Sequence, residues 1–174
     1  MIETADKPLA LRRYQPSDYD ACRKLWAELT EHHRQLYDDP NIGGDDPGAA
    51  IDAYLKDERL RGPWVAVHEG RVVGLAGLLL EGEQAEIEPV IVTSAHRGQG
   101  IGRELVRHLV EQARALETRF LSVRPVFRNA RAMSFFAEAG FGLVGQVELF
   151  QDLKPEAGRT WRTDLILHGR PFGY

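Results

Sequence analysis

The sequence lacks most of the features that mark secreted, membrane-spanning or nucleic-acid-binding proteins. Its single cysteine, Cys22, excludes an internal disulfide bond and favours a reducing compartment. Cys22 falls among helical apolar positions, which is typical of a core residue rather than of a nucleophile. The longest apolar run, residues 72–80, contains two glycines and is too short to span a bilayer. The first fifteen residues have no apolar segment of the kind found in signal peptides.

The net charge and the composition exclude further classes of protein. The net charge of −4 disfavours a nucleic-acid partner, because such proteins usually present a basic surface. Hydrophobic residues make up 43% of the 174 residues and charged residues 28%, as in ordinary globular proteins. There is no internal repeat, low-complexity segment or linker, so we expect a single domain over residues 1–174. Together these features predict a cytoplasmic protein with no nucleic-acid and no membrane partner.

One stretch, residues 85–113, organises the chain. Its β-branched residues have the length and composition of a buried strand; they are Ile87, Val90, Ile91 and Val92. Three glycines spaced by single residues follow, and then apolar residues recur at helical spacing from Ile101 to Val110. The stretch therefore predicts a strand, a glycine loop and a helix in succession.

Such a junction can bind an anion. The first turn of a helix has backbone N–H groups without internal partners, and glycines let an anion approach them closely. Arg97 and Arg103 bracket the loop and can bind phosphate oxygens, so a pyrophosphate is the natural ligand. The alternative is a plain glycine-rich connection with solvated arginines. A P-loop is excluded, because Arg103-Glu104 stands where it needs Lys-Ser or Lys-Thr, and about 85 residues precede the motif, which disfavours a dinucleotide fold.

The remaining periodicity and turn residues predict an α/β (α+β) protein. Strands are expected at 9–14, 64–68, 72–80 and 120–123, with helices starting at Ser17 and covering 47–59 and 129–139. A final hairpin is expected from 141–150 and 162–168, joined by a polar loop at 152–159. With the central strand and helix, the order is β-α-α-β-β-β-α-β-α-β-β.

Two motifs resemble those of the GCN5-related N-acetyltransferase (GNAT) superfamily. Its acetyl-CoA-binding pattern, Arg/Gln-x-x-Gly-x-Gly/Ala, is filled by Arg97, Gly100 and Gly102. Its second signature is matched by Asn129 and by the Gly140-Phe141 turn, and the resemblance runs from about residue 11 to the C-terminus. It implies one acetyltransferase domain, with a mixed central sheet of about seven strands that is splayed between the fourth and fifth strands to admit acetyl-CoA.

The resemblance also implies where the co-substrate, acetyl-CoA, binds. Backbone groups of Val90, Ile91 and Val92 would hold the pantetheine arm like an added strand, and Pro89 just before them predicts a bulge or an open edge. Asn129 would bind the same arm, although it could also be a simple helix N-cap. The pyrophosphate would lie on a set of loop residues: Arg97, Gly98, Gln99, Gly100, Ile101, Gly102 and Arg103.

Two carboxylates are candidates for the base that deprotonates an amine acceptor. Glu86 stands at the spacing where histone-acetylating relatives place their base, and Glu88 lies nearer the reaction centre, so we favour Glu88. The alternative is that both are solvated carboxylates at a strand edge. A backbone N–H near Val92 would hold the oxyanion during direct attack of the amine. The tyrosine that usually protonates the leaving thiolate is replaced by Phe136, which has no proton to give.

The first two helices and the acidic loop between them, residues 38–48, should select the acceptor, as in the family. Aspartates there could recruit a cationic amine of a small molecule, a peptide or a protein, although a solvated acidic loop is the simpler interpretation. The adjacent His32 and His33 cannot both face one metal ion, so we predict no metal site. A homodimer is plausible for the family. Two alternative functions remain: a CoA-binding regulatory or sensor module, favoured by Phe136, and an interaction protein with an incidental glycine turn.

Overall fold

The computed structural model describes residues 9–153 and 161–174. Seven strands are present in these ranges: β1 (Ala10–Arg13), β2 (Leu60–His68), β3 (Arg71–Glu81), β4 (Gln84–Val92), β5 (Phe120–Ser122), β6 (Leu165–Leu167) and β7 (Arg170–Phe172). The helices are α1 (Tyr19–Tyr37), α2 (Ala50–Leu55), α3 (Ile101–Ala115) and α4 (Ala130–Glu138). The chain divides into a first compact unit that ends at Arg124 and a second that begins at Pro125. None of the helices in these ranges is long and apolar enough to cross a membrane.

The first unit contains a five-stranded sheet with the order β1-β2-β3-β4-β5. Neighbouring strands are antiparallel except β4 and β5, which are parallel because α3 forms the crossover between them. This confirms the mixed α/β class. The expectation of about seven strands in the central sheet is wrong for the described residues, since β6 and β7 form a separate two-stranded sheet in the second unit.

Two predicted elements differ from the structure for local reasons. The helix expected over 47–59 is only the six residues of α2, because Asp57 accepts a hydrogen bond from the backbone N–H of Arg59 and turns the chain into β2. Residues 141–150 form no strand, and the glycines within them, Gly142 and Gly145, lower strand propensity. Of the loop expected at 152–159, residues 154–159 lie outside the described ranges.

Different helices cover the two faces of the five-stranded sheet. Because side chains alternate along a strand, Leu75 and Leu79 of β3 face α1 and α2, whereas Gly74 faces Leu105 of α3. The core on the first face comprises Cys22, Leu25, Ile51, Tyr54, Val65, Leu75, Leu79 and Ile91. On the other face α3 buries Ile101, Leu105, Val106, Leu109 and Ala113. The β4–α3 junction is therefore held from both sides.

A partly buried ion pair fixes the start of α1. Asp18 is buried and accepts hydrogen bonds from both terminal nitrogens of Arg12, at 2.6 and 2.8 Å, and from the backbone N–H of Gln15 at 2.8 Å. The bonds from Arg12 hold the pKa of Asp18 below its usual range, against the opposing effect of burial. Ionised Asp18 therefore stabilises the folded chain.

We expect Asp18→Asn to lower the free energy of unfolding at pH 7 by about 1–2 kcal/mol, less than for a fully buried pair because Arg12 is partly in water. Since the pKa of Asp18 is lower in the folded state, its contribution is complete above the unfolded value of about 3.9 and is lost as the pH falls through the folded value. Urea unfolding at several pH values should show that the free energies of unfolding of wild type and variant become equal at acidic pH. Asp20→Asn, at an exposed position two residues away, is the control and should change little.

Candidate active site

The predicted glycine loop joins β4 to α3 and is open on its outer side. After β4 a short 3-10 turn covers Ser94–His96, and α3 begins at Ile101. Gly98 and Gly100 have φ values of +80° and +84°, which favour glycine. A Cβ atom built on either residue would meet no atom within 4 Å. The junction therefore offers space next to the first-turn N–H groups of α3, as a diphosphate would require.

The polar side chains of the loop are already partly engaged. The Nε of Arg97 donates to the carbonyl oxygen of Val92 at 3.0 Å, so a phosphate would use the terminal nitrogens of this guanidinium. Gln99 donates to the carbonyl oxygen of Ala95 at 3.4 Å. Arg103 is exposed in the first turn of α3. Each of these predicted residues lies at the junction, and their binding role stays a prediction.

The parallel pairing of β4 and β5 is short. It joins Gln84 to Phe120, Ala85 to Leu121 and Glu86 to Ser122, and then β5 ends. β4 continues to Val92, so its second half has no partner from β5. Within residues 9–153 and 161–174 no strand pairs with β4 on this side beyond Glu86, so we call this side of the strand its free edge, and it could pair with an extended ligand.

The hydrogen-bond alternation of β4 shows which backbone groups face that edge. The N–H of Thr93 donates to the carbonyl oxygen of Val73 at 2.9 Å, which makes these two residues a hydrogen-bonded antiparallel pair. By alternation, the backbone groups of Ile91 also face β3, and those of Val90 and Val92 face away from it. Of the three residues predicted to bind pantetheine, Val90 and Val92 are thus positioned to do so, whereas Ile91 has a side chain in the core and a backbone directed to β3.

Pro89 produces the predicted bulge in β4. Ile87 pairs with Leu78 and Val90 with Ala76, so Glu88 and Pro89 together oppose the single residue Gly77. A Cβ atom on Gly77 would collide with the hydroxyl of Tyr54 and lie 3.0 Å from the carbonyl oxygen of Glu88. Tyr54 is buried there, its hydroxyl has no hydrogen-bond partner among the described residues, and burial raises its pKa. The bulge therefore packs against Tyr54 of α2 on the face of the sheet that α1 and α2 cover.

The two candidate bases have different environments. Glu86 is 8% exposed, pairs with Leu79 and therefore lies on the face that α1 and α2 cover, at the last paired position before β4 and β5 part. Burial raises its pKa; a 3.2 Å ion pair with Arg124 opposes this shift, and the charge of Glu88 adds to it. Glu88 is exposed at the bulge. The bulge therefore leaves Glu88 within electrostatic reach of Glu86.

Asn129 and Phe136 lie in the second unit. The side-chain oxygen of Asn129 accepts a hydrogen bond from the N–H of Ala132 at 3.0 Å, so it is the N-cap of α4, one of its two predicted roles. Its role in cofactor binding stays a prediction. The ring of Phe136 contacts those of Phe135 and Phe141, with centroids 5.0 and 5.8 Å apart, so Phe136 belongs to an aromatic cluster.

Aspartates in the loop between the first two helices, and Asp52 within α2, have structural partners. Asp46 forms an ion pair with Arg23, Asp52 accepts from the hydroxyl of Tyr19 at 2.8 Å, and Asp39 accepts from the N–H of Asn41 at 2.9 Å. The loop is also tied to α1 by Arg34, whose guanidinium donates to the carbonyl oxygens of Ile42 and Gly44. Asp46 therefore holds this loop against α1, Asp52 joins α2 to α1, and Asp39 bonds within the loop itself.

Cys22 is fully buried, and burial raises the pKa of its thiol to about 12. It is thus a core residue, as predicted, and a poor nucleophile. No three His, Cys, Asp or Glu side chains in residues 9–153 and 161–174 are grouped as a metal ion would need.

Comparison with known proteins identifies the family. The profile of the acetyltransferase (GNAT) family matches residues 20–141, which is more than half of the chain and includes the open glycine loop, the bulge and α4. The chain belongs to the GNAT family. Acetyltransferases of this family use acetyl-CoA.

Individual GNAT relatives match the chain over part of their length. N-acetyltransferase 8 of Rattus norvegicus is 31% identical over 121 residues, which cover 66% of this chain and 51% of the relative. Streptothricin acetyltransferase of Streptomyces lavendulae is 32% identical over 109 residues, covering 61% and 56%. The chain therefore spans about half the length of these relatives. The crystal structure of an acetyltransferase from Trypanosoma brucei shares the fold, with a TM-score of 0.62 at 24% identity over 84% of this chain and 100% of that one.

Proposed function

We propose that this protein is an N-acetyltransferase that transfers the acetyl group of acetyl-CoA to a primary amine of a small molecule, a peptide or a protein. The observation that carries the proposal is the open glycine loop at the start of α3, next to the half of β4 that pairs with β3 but not with β5. The proposal includes a cytoplasmic setting, on grounds of composition, and a single acetyltransferase domain. A homodimer stays a prediction.

The diphosphate, the pantetheine arm and the thioester of acetyl-CoA each have a candidate group in the first unit. The N–H groups at Gly98, Gly100 and the first turn of α3 would bind the diphosphate. The backbone groups of Val90 and Val92 would bind the pantetheine arm along the free edge of β4. Acetyl-CoA supplies an acyl group activated as a thioester. The N–H of Val92, on the same edge, is placed to donate to the oxyanion that develops there.

Glu86 is the base that we now favour over Glu88. An amine is protonated near pH 7 and must lose a proton before it attacks. Burial raises the pKa of Glu86, which makes its carboxylate a stronger base than an exposed one. Its position where β4 and β5 part places it beside the free edge. Glu88, exposed two residues away, adds negative charge that would favour a cationic acceptor.

The name of one relative, an N-acetyltransferase, agrees with an amine acceptor. The other relative is named as a streptothricin acetyltransferase. A second candidate function is a CoA-binding regulatory module of the same fold. It is favoured by Phe136, since the side chain at this position cannot protonate a leaving thiolate. A thiol with a pKa near 8.5 can, however, leave without a protein acid.

Calorimetry with CoA and acetyl-CoA, followed by a thiol-release assay across polyamines, aminoglycosides and peptide amines, tests the proposal. We expect saturable binding of both nucleotides and release of CoA thiol that depends on one class of amine. Binding without amine-dependent release would favour the regulatory module. Absence of binding to either nucleotide would remove both functions.

A further inference from the structure

A carboxylate on α1 binds the chain where β4 passes into the glycine loop. One oxygen of Glu28 accepts a hydrogen bond from the hydroxyl of Thr93, and the other accepts one from the backbone N–H of Ser94, both at 2.8 Å. Thr93 directly follows β4, and Ser94 opens the 3-10 turn. Both carboxylate oxygens of Glu28 therefore bind the junction between β4 and the glycine loop, which lies more than 60 residues away in sequence.

Glu28 can act as a fixed point because its helix is anchored. Cys22 and Leu25, on the preceding turns of α1, are buried in the core against β3 and β4. The side chain of Glu28 is itself partly shielded from water. Hydrogen bonds to a carboxylate are stronger than those between neutral groups. The position of Thr93 and Ser94 is thus set by α1 as well as by the sheet.

The rest of the glycine loop follows Thr93 and Ser94 in the chain and is hydrogen-bonded to this region. The N–H of His96 donates to the carbonyl oxygen of Thr93 at 2.9 Å, and Arg97 follows with its bond to the carbonyl of Val92. Gly98 and Gly100 come next, before the first turn of α3. A displacement of Thr93 and Ser94 would therefore be transmitted to the groups that face the diphosphate.

The charge of Glu28 cannot explain its place here. A carboxylate near an anion-binding loop opposes binding of a diphosphate through Coulomb repulsion. The benefit of Glu28 must come from its two hydrogen bonds, which orient the loop. A neutral side chain of the same length that keeps both bonds makes weaker bonds but removes the repulsion, so it should support CoA binding nearly as well. Glutamine meets this condition, because its carbonyl can accept from Ser94 and its amide can donate to the hydroxyl of Thr93.

We propose that Glu28 is a positioning residue for CoA binding, which links α1 to the loop that would bind the diphosphate. This inference rests on the proposed function, since it takes CoA as the ligand. Glu28 does not need to touch CoA, and its effect is exerted through Thr93 and Ser94.

The test measures the dissociation constant of CoA by calorimetry for Glu28→Ala, Glu28→Gln and Glu31→Ala, well below the unfolding temperature of each. We expect Glu28→Ala to weaken CoA binding about tenfold, as for loss of a charge-assisted hydrogen bond, and Glu28→Gln to bind within about twofold of wild type. Glu31→Ala, which removes a carboxylate one turn along α1 that pairs with Arg34, should leave CoA binding unchanged. A merely structural role would lower the unfolding midpoint without changing the affinity of the folded protein.

Thr93→Val provides a second variant, should Glu28→Ala fail to fold. It removes one of the two bonds and leaves the side chain of Glu28 in place, so we expect weaker CoA binding by about threefold. Wild-type affinity for CoA in Glu28→Ala would overturn the inference. If Glu28→Ala does not fold, wild-type affinity in Thr93→Val would overturn it instead. A Glu28→Gln variant that binds CoA as weakly as Glu28→Ala would also overturn it. If wild type itself binds no CoA, the proposed function fails first. Failure of the proposed function and failure of the positioning role are distinguishable, because the first appears in the titration of wild type and the second only in those of the variants.

Discussion

Replacing Glu86 by glutamine should lower kcat for the preferred amine about 10²- to 10³-fold at pH 7, while CoA binding stays within about twofold of wild type. The reason is that glutamine keeps the size of the side chain in its buried site but cannot take the proton of the amine. The acidic limb of the wild-type pH–rate profile should lie above the usual range of a carboxylate, because burial raises the pKa of Glu86. Steady-state kinetics across pH, with CoA calorimetry on the same samples, provide the measurement.

Two neighbouring charges provide controls for this assignment. Arg124 lowers the pKa of Glu86, so Arg124→Gln should move the acidic limb to higher pH. Glu88 raises it, so Glu88→Gln should move the limb to lower pH and leave kcat at its plateau nearly unchanged. Shifts in the two opposite directions would identify Glu86 as the titrating group. A hundredfold loss in Glu88→Gln with normal turnover in Glu86→Gln would instead return the role to Glu88.

Replacing Gly100 by alanine should raise the KM for acetyl-CoA at least about tenfold and lower the free energy of unfolding by only about 1–2 kcal/mol. The added Cβ would project into the open space beside the first turn of α3, where it meets no protein atom but would exclude a phosphate oxygen. The measurements are acetyl-CoA kinetics and urea unfolding of the same variant.

Gly70→Ala is the matched control for Gly100→Ala. Gly70 has a φ of +76° against +84° for Gly100, and a Cβ there also meets nothing within 4 Å, but it lies in the β2–β3 turn. The two variants should therefore lose similar stability, and only Gly100→Ala should lose affinity for acetyl-CoA. An equal change in KM for both variants, or in neither, would contradict a diphosphate site at this loop.

The glycine loop was predictable because all of its determinants are local. A β-branched strand, closely spaced glycines and a helix with an apolar stripe are contiguous in sequence, and backbone geometry alone brings them together. The bulge could be predicted for the same reason, since Pro89 cannot donate a ladder hydrogen bond wherever its strand lies. Similar local reasoning wrongly predicted a strand over 141–150. Apolar residues there favour a strand, whereas the glycines among them disfavour one.

The sequence by itself therefore determined the glycine loop, the bulge and the core position of Cys22, because propensity, turn chemistry and periodicity act over a few neighbouring residues. It indicated the family through the resemblance of two motifs to those of GNAT proteins. Only the tertiary structure gave Glu86 and Glu88 different environments, since the pKa of a carboxylate depends on burial and on charges such as Arg124 that lie far away along the chain. Our proposal of Glu86 as the base rests on that difference. The tie from Glu28 to Thr93 and Ser94 has no signal in the sequence at all. It exists because folding brings α1 against the end of β4, and long-range contacts of this kind follow from packing rather than from local preference.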